Sequence, residues 1–323
     1  MPGRRPLTRR TLLAGAGALL AGCATSATAG PGATAPPDRL VTLGGAAAGL
    51  ALLLGPTQVG TASFLSADPL LDAIARIQET PVADVSDAGG EIDLERLARL
   101  APDLLVGFDT PPPDRALSSL APLHAVPRTG DVDTDCRALA AGMGGADRVQ
   151  HVLADVHARA AETAARLRGG RAPTVSVLSP GLDGASLYAL GTATPAGAVI
   201  AELDLPRPGA QRSQTDPAQP FVPISAERFT EHDADLVLLL TGPTANPAFL
   251  REQPLWRRLG AVRDGRVVEV DAMRWASMSC LLGSCWVLDD LASLLLHGVA
   301  PVLGAASPAG LTRLRGYRSR STP

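Results

Sequence analysis

Ile92-Asp93-Leu94-Glu95-Arg96-Leu97, followed by Asp103-Leu104-Leu105-Val106, has a counterpart in the second half of the chain. There Ile224-Ser225-Ala226-Glu227-Arg228-Phe229 is followed by Asp235-Leu236-Val237-Leu238. In both copies the glutamate stands eight positions before the aspartate. Each copy reads as a short helix with a polar first turn, a tight break and a buried strand. A unit that occurs twice, far apart, predicts two similar lobes in one chain. It also puts one equivalent glutamate, Glu95 or Glu227, on each lobe. Compensation of a helix dipole accounts for one such glutamate. It accounts less well for Glu-Arg at the same offset from a strand in both copies. The pair reads as a device for symmetric docking.

The long helical pattern between the copies supplies a connection. Val149, Val152, Leu153, Val156, Ala160, Thr163 and Leu167 follow helical spacing from Ala146 to Leu167, and Gly169-Gly170 ends the run. A helix of about 22 residues covers about 33 Å, enough to bridge two lobes. Around it, strands are predicted at Arg39–Leu43, Gln58–Ala62, Val82–Val85 and Asp103–Gly107. In the second half they are predicted at Thr174–Leu178, Ser186–Leu190, Asp235–Leu240 and Arg266–Val270. Helices intervene at Gly44–Leu54, Pro69–Ile77, Asp93–Leu100, Pro195–Leu203, Leu255–Leu259 and Trp286–Leu296. Alternation of this kind predicts parallel sheets. The expected fold is α/β: two three-layer lobes with mainly parallel sheets, joined by one long bridging helix. The expected divisions are 39–145, a bridge at 146–170, 171–300 and a basic tail at 301–323.

Residues 1–22 read as a signal peptide. Arg4, Arg5, Arg9 and Arg10 form a basic start, and Leu12 to Ala21 is an apolar run too short to span a bilayer. Thr8-Arg9-Arg10-Thr11-Leu12-Leu13 matches a twin-arginine pattern. Leu20-Ala21-Gly22-Cys23 reads as a lipobox, which makes Cys23 the lipidated residue of the mature chain. Buried methylenes contribute about 0.8 kcal/mol each, so two acyl chains anchor firmly. Residues 23–38, rich in Ala, Thr, Gly and Pro, read as a flexible tether. The expected place is the outer face of the cytoplasmic membrane.

Composition excludes several classes. The net charge is −3, and −7 once the four signal arginines are removed. An acidic body does not suit nucleic acid. The chain contains no lysine, so Walker, Schiff-base and Ser-x-x-Lys chemistry is absent. Gly44-Gly45-Ala46-Ala47-Ala48-Gly49 fits close strand-to-helix packing better than a phosphate loop. The histidines, His124, His151, His157, His232 and His297, show no metal-pair spacing and read as solvated or capping residues. Ser186 lacks the second glycine of a nucleophile elbow. No catalytic residue and no metal site is expected. Cys280 and Cys285 are close enough in sequence for a disulfide outside the cytoplasm, with free buried thiols the alternative.

Aromatic residues make up only 3% of the chain, so their places carry weight. Phe108 follows a strand end, Tyr188 and Phe221 lie in the second half, and Trp275 follows a strand beside Arg274. Aromatic and Arg side chains at strand ends suit a flat or anionic ligand, although each also suits an ordinary core. Trp256 reads as core.

The chain resembles the iron-siderophore and cobalamin class of solute-binding lipoproteins of ABC importers, the class III binding-protein fold. The resemblance runs from about Arg39 to Leu296. Besides the repeated element it rests on Gln253-Pro254-Leu255-Trp256, on Gly260-Ala261-Val262-Arg263-Asp264-Gly265-Arg266-Val267, and on Val287-Leu288-Asp289-Asp290-Leu291. It implies a monomer holding ligand in a cleft between the lobes, without an intrinsic cofactor. It implies that Glu95 and Glu227 pair with arginines of a permease driven by its ATPase. Phe221, six residues before Glu227, matches the offset of a cleft aromatic, and Trp275 is similar to a cleft tryptophan. The implied cargo is a metal chelate, first a ferric siderophore, with a corrinoid or heme as alternative. An accessory lipoprotein that binds a membrane partner without transporting a solute is a further reading.

Overall fold

The computed structural model describes residues 36–63, 69–108, 115–212, 219–276 and 281–321. The signal segment, Cys23, most of the tether, Pro111 to Pro113 and Cys280 lie outside the described residues. The first half runs β1 (Leu40–Leu43), α1 (Gly45–Leu54), β2 (Gln58–Ala62), α2 (Leu70–Gln78), β3 (Ala83–Asp84), α3 (Leu94–Arg99), β4 (Leu104–Phe108), α4 (Arg115–Leu120), β5 (Leu123–Val126) and α5 (Val132–Gly142). Then comes the long helix α6 (Ala146–Leu167). The second half runs β6 (Val175–Pro180), β7 (Leu187–Leu190), α7 (Pro195–Glu202), α8 (Gly209–Arg212), β8 (Phe221–Ile224), a 3₁₀ turn (Ala226–His232) and β9 (Leu236–Thr241). It ends with α9 (Gly260–Arg263), β10 (Val267–Asp271), α10 (Ala272–Trp275), α11 (Leu281–His297) and α12 (Pro308–Arg320).

The repeat is realised as matching topology. The first sheet has the order β3-β2-β1-β4-β5, and the second, read from its β8 edge, β8-β7-β6-β9-β10. The two orders correspond strand for strand. The first sheet is parallel throughout. In the second only β7 runs against its neighbours. A hairpin joins it directly to β6, and hairpins make antiparallel pairs. Asp183 fixes that hairpin, accepting from the amides of Ala185 (3.0 Å) and Ser186 (2.9 Å) and from the Ser186 hydroxyl (2.5 Å).

Each copy of the repeated element therefore leads from an edge strand to a central strand. In the first copy Asp93 caps α3, its Oδ1 accepting the Arg96 amide at 2.9 Å. In the second, the Ser225 side chain accepts no helix amide, and the turn is a 3₁₀ helix rather than the expected α-helix.

Alternation along the strands sorts the apolar residues onto two faces of each sheet. Val41, Val85, Leu97, Leu105 and Leu117 pack on the outer face of the first sheet. Leu178, Leu187, Phe229, Val237, Leu239 and Trp256 pack on the outer face of the second. Phe229 and Trp256 meet edge to face with ring centroids 6.4 Å apart. The inner faces share one core. Leu40 and Val106 of the first sheet and Val177 and Leu238 of the second belong to a single apolar cluster that runs through α1, α5, α6, α7 and α11. The bridging helix is thus one member of a central helical layer common to both lobes.

Several stretches differ from expectation. Strand β5 and helices α4, α5, α9 and α10 occupy residues to which the sequence assigned no element. The loop expected between Pro206 and Pro223 contains α8 and the start of β8. The basic residues after 301 include helix α12, which buries Leu311, Leu314 and Tyr317. Ser307 caps it, accepting the Gly310 amide at 3.0 Å, and Pro308 begins it.

Candidate functional site

The two glutamates of the repeat are held alike. Both side chains are exposed at the start of the helical turn that follows an edge strand. Their arginine neighbours have different tasks. Arg96 reaches back to the edge of the first sheet and donates to the carbonyls of Asp84 (3.1 Å) and Ser86 (3.0 Å), which pins α3 in place. Arg228 pairs locally with Glu231 at 2.7 Å. The Glu227 carboxyl lies below the usual glutamate range because its own amide and then the Ser225 hydroxyl hydrogen-bond the charged form. What the copies share is an exposed carboxylate at one place in the topology.

The expected cleft residues divide into two groups. Phe108 ends β4, opposite Val126 of β5, and is half-buried against the shared core. Arg128, two residues beyond β5, places its guanidinium carbon 4.2 Å from the Phe108 ring centroid. Sequence reading missed Arg128. The only cue was an arginine directly after Pro127, in a segment with no assigned strand. In the second sheet Tyr188 stands between Ser179 and Pro223, and Phe221 stands opposite Leu190. This register puts Tyr188 and Phe221 on the inner face, the face that Phe108 also occupies in the first sheet. Both are half-buried.

Arg274 and Trp275 do not line an open surface, contrary to expectation. They are 2% and 0% exposed. Asp271 caps α10 through the Arg274 amide at 2.9 Å and accepts the Gly304 amide at 2.7 Å, which turns this helix into the protein. The Trp275 indole then donates to Asp290 at 2.9 Å. Asp290 also accepts from Arg313 (2.5 Å) and the Val302 amide (3.2 Å), and Arg313 stacks on Trp286 at 4.8 Å. The neighbouring Asp289 receives Arg159 of the bridging helix and the Tyr317 hydroxyl, the latter at 2.8 Å. The Asp289-Asp290 pair is therefore the joint between α6, α11 and α12.

Cys285 carries a buried thiol, and Cys280, its expected partner, lies outside the described residues. Burial first, and the Asp289 charge second, push this thiol up to about 12, where it is inert. His232 is not solvated. It is 4% exposed and accepts from Gln211 Nε2 at 3.1 Å, and burial lowers its pKa. Among the described residues no group of three or more His, Cys, Asp or Glu is arranged to hold a metal ion.

Comparison with known proteins agrees with this architecture. The "Probable siderophore-binding lipoprotein YfiY" of Bacillus subtilis (strain 168) is 26% identical over 282 residues, covering 80% of this chain and 83% of that protein. The "Achromobactin-binding periplasmic protein" of Dickeya dadantii (strain 3937) is 26% identical over 269 residues, covering 79% and 86%. The structure of FhuD2 from Staphylococcus aureus with bound ferrioxamine B shares the fold. Its TM-score is 0.66 at 20% identity, covering 80% of this chain and 98% of that one. The sequence profile of the periplasmic binding proteins matches residues 40–273, from the first strand of one sheet through the last strand of the other, and the chain belongs to that family.

Proposed function

We propose that the protein captures a ferric siderophore in the cleft between its lobes and delivers it to an ABC permease. The observation that carries this reading is the family match across both sheets, together with one relative named as siderophore-binding and one as achromobactin-binding. A protein of this family binds and hands over its cargo rather than transforming it. Iron that arrives already chelated needs no protein ligands. Phe108 with Arg128 on one sheet, and Tyr188 and Phe221 on the other, are the proposed contacts. Arg274 and Trp275 support the wall from behind. Cys23 anchors the mature monomer to the outer face of the cytoplasmic membrane, and Glu95 and Glu227 face the permease.

The test is calorimetric titration of the purified mature protein with ferric siderophores, ferrioxamine B among them, and with a corrinoid and heme as controls. At least one ferric chelate is expected to bind and to raise the melting temperature. Phe108→Ala is expected to weaken that chelate about tenfold, or about 1.4 kcal/mol. No binding by any ferric chelate, with tight binding of heme or the corrinoid, would replace the proposed cargo.

A further inference from the structure

We propose that His157 is a proton-controlled clasp between the two lobes. It lies in the middle of α6, and each ring nitrogen faces a carboxylate from a different lobe. Its Nε2 is 2.9 Å from Asp133 Oδ2, in the first turn of α5. Its Nδ1 bonds Glu202, the last residue of α7. A neutral imidazole has one N–H and one bare lone pair. Only the imidazolium donates to both carboxylates. The neutral ring would turn a lone pair toward one of them.

The surroundings favour the cation. Burial pushes the imidazole down, but hydrogen bonds and charge from Asp133 and Glu202 outweigh it and leave the pKa raised above 6.5. The other groups facing it are Asp131 and Arg137 of the α5 end, Gln150 of α6 and Ser284 of α11. Arg137 shares Asp133 at 3.1 Å. With His157 charged, two cations meet three carboxylates. Without its proton, Arg137 remains as the one cation of this group, and the ring can donate to only one of the two carboxylates.

The position gives the clasp mechanical weight. It lines an open pocket of about 430 Å³ whose walls include Val132, Leu153, Val156, Val199 and Leu281. Packing is missing where the start of α5 and the end of α7 approach one another, and the polar bridge takes its place. A raised folded-state pKa means that the stabilisation is fully present below about pH 6.5 and is lost as pH rises through the folded value. The side chain is 46% exposed, so solvent screens the pair. The expected result is local loosening of the lobe junction rather than unfolding.

Nitrogen-15 spectra of the histidines in the intact, ligand-free protein test the charge state. Both ring nitrogens of His157 are expected to be protonated at about pH 6.5, with a titration midpoint above that value. Hydrogen exchange, corrected for intrinsic rates, tests the clasp. Residues 131–137 and 198–205 are expected to exchange about threefold faster or more, together, once pH passes that midpoint. In His157→Gln both segments should exchange fast at every pH, with the melting temperature nearly unchanged. A neutral ring at about pH 6.5, or two segments indifferent to pH and to the substitution, would overturn the proposal. Both measurements use the protein without cargo, so their outcome is independent of what the cleft binds.

Discussion

Replacing Arg313 by alanine is expected to lower the stability of the folded protein by about 3–5 kcal/mol. Asp290 has no exposed side-chain surface, and Arg313 is its cationic partner at 2.5 Å. The Trp275 indole and the Val302 amide complete its hydrogen bonds. Burial alone pushes the Asp290 carboxyl up, against the charge and hydrogen bonds of Arg313. Without the guanidinium, either a buried charge stands unpaired or a proton must be taken up. The stacking contact on Trp286 is lost as well. For a chain of this size the melting temperature should fall by roughly 6–15 °C. Denaturant titration of the purified protein measures the free energy directly. Arg315, exposed on the same helix, is the control, and its alanine variant should leave the midpoint unchanged. A loss under about 1 kcal/mol in Arg313→Ala would mean that the Arg313–Asp290 pair does not hold α12 to α11.

The largest functional effect is expected from Glu95→Ala combined with Glu227→Ala. Both carboxylates are exposed, and neither is one of the proposed cleft contacts. Cargo affinity should therefore stay within about twofold, and thermal stability should be unchanged. Uptake by cells that depend on this protein should fall by about tenfold or more, because charge complementarity at an interface governs encounter and register. Each single variant should lie between, and Glu95→Arg, which replaces attraction with repulsion, should be more severe than Glu95→Ala. Normal uptake by the double variant would reduce the repeated glutamates to helix-end charges.

Much of the fold was legible because it is written in local patterns. The repeated Ile-x-x-Glu-Arg element, with its apolar strand downstream, implied two lobes, and the sheets show the same strand order twice. The apolar spacing of the bridging helix matched its bounds, Ala146–Leu167. Strand β5 was hidden because Leu123-His124-Ala125-Val126 is short and holds a histidine, which bonds the Ala138 carbonyl at 2.8 Å. Helix α5 was hidden because its buried positions include Asp135, which breaks the apolar spacing. Helix α12 read as a basic tail because four of its 13 residues are arginines. Sequence cannot show that Arg313 turns inward to Asp290.

The site was legible in part for a related reason. Phe108 was singled out by the strand end before it and Phe221 by its offset from Glu227, although strand β8, which carries Phe221, read as a loop. Arg274 and Trp275 were misplaced because the short helix capped by Asp271 buries both, Trp275 against the distant Asp290. Arg128 depended on a strand that had not been recognised. The carboxylates of His157 come from helices far apart in sequence, and pairings of that kind have no local signal.

The common helical layer has a consequence for how this molecule could have arisen and how it can be handled. Two lobes with one strand order invite the idea of a duplicated module, each half able to stand alone. The shared core argues otherwise. Cutting the chain at α6 would bare the helix surfaces that pack across the two halves, α1 against α11 and α12 among them, an apolar surface of the kind that drives aggregation. The halves are obligate partners within one polypeptide. Heat or denaturant should take them apart in one step, and no soluble half-protein is expected from either side of the cut.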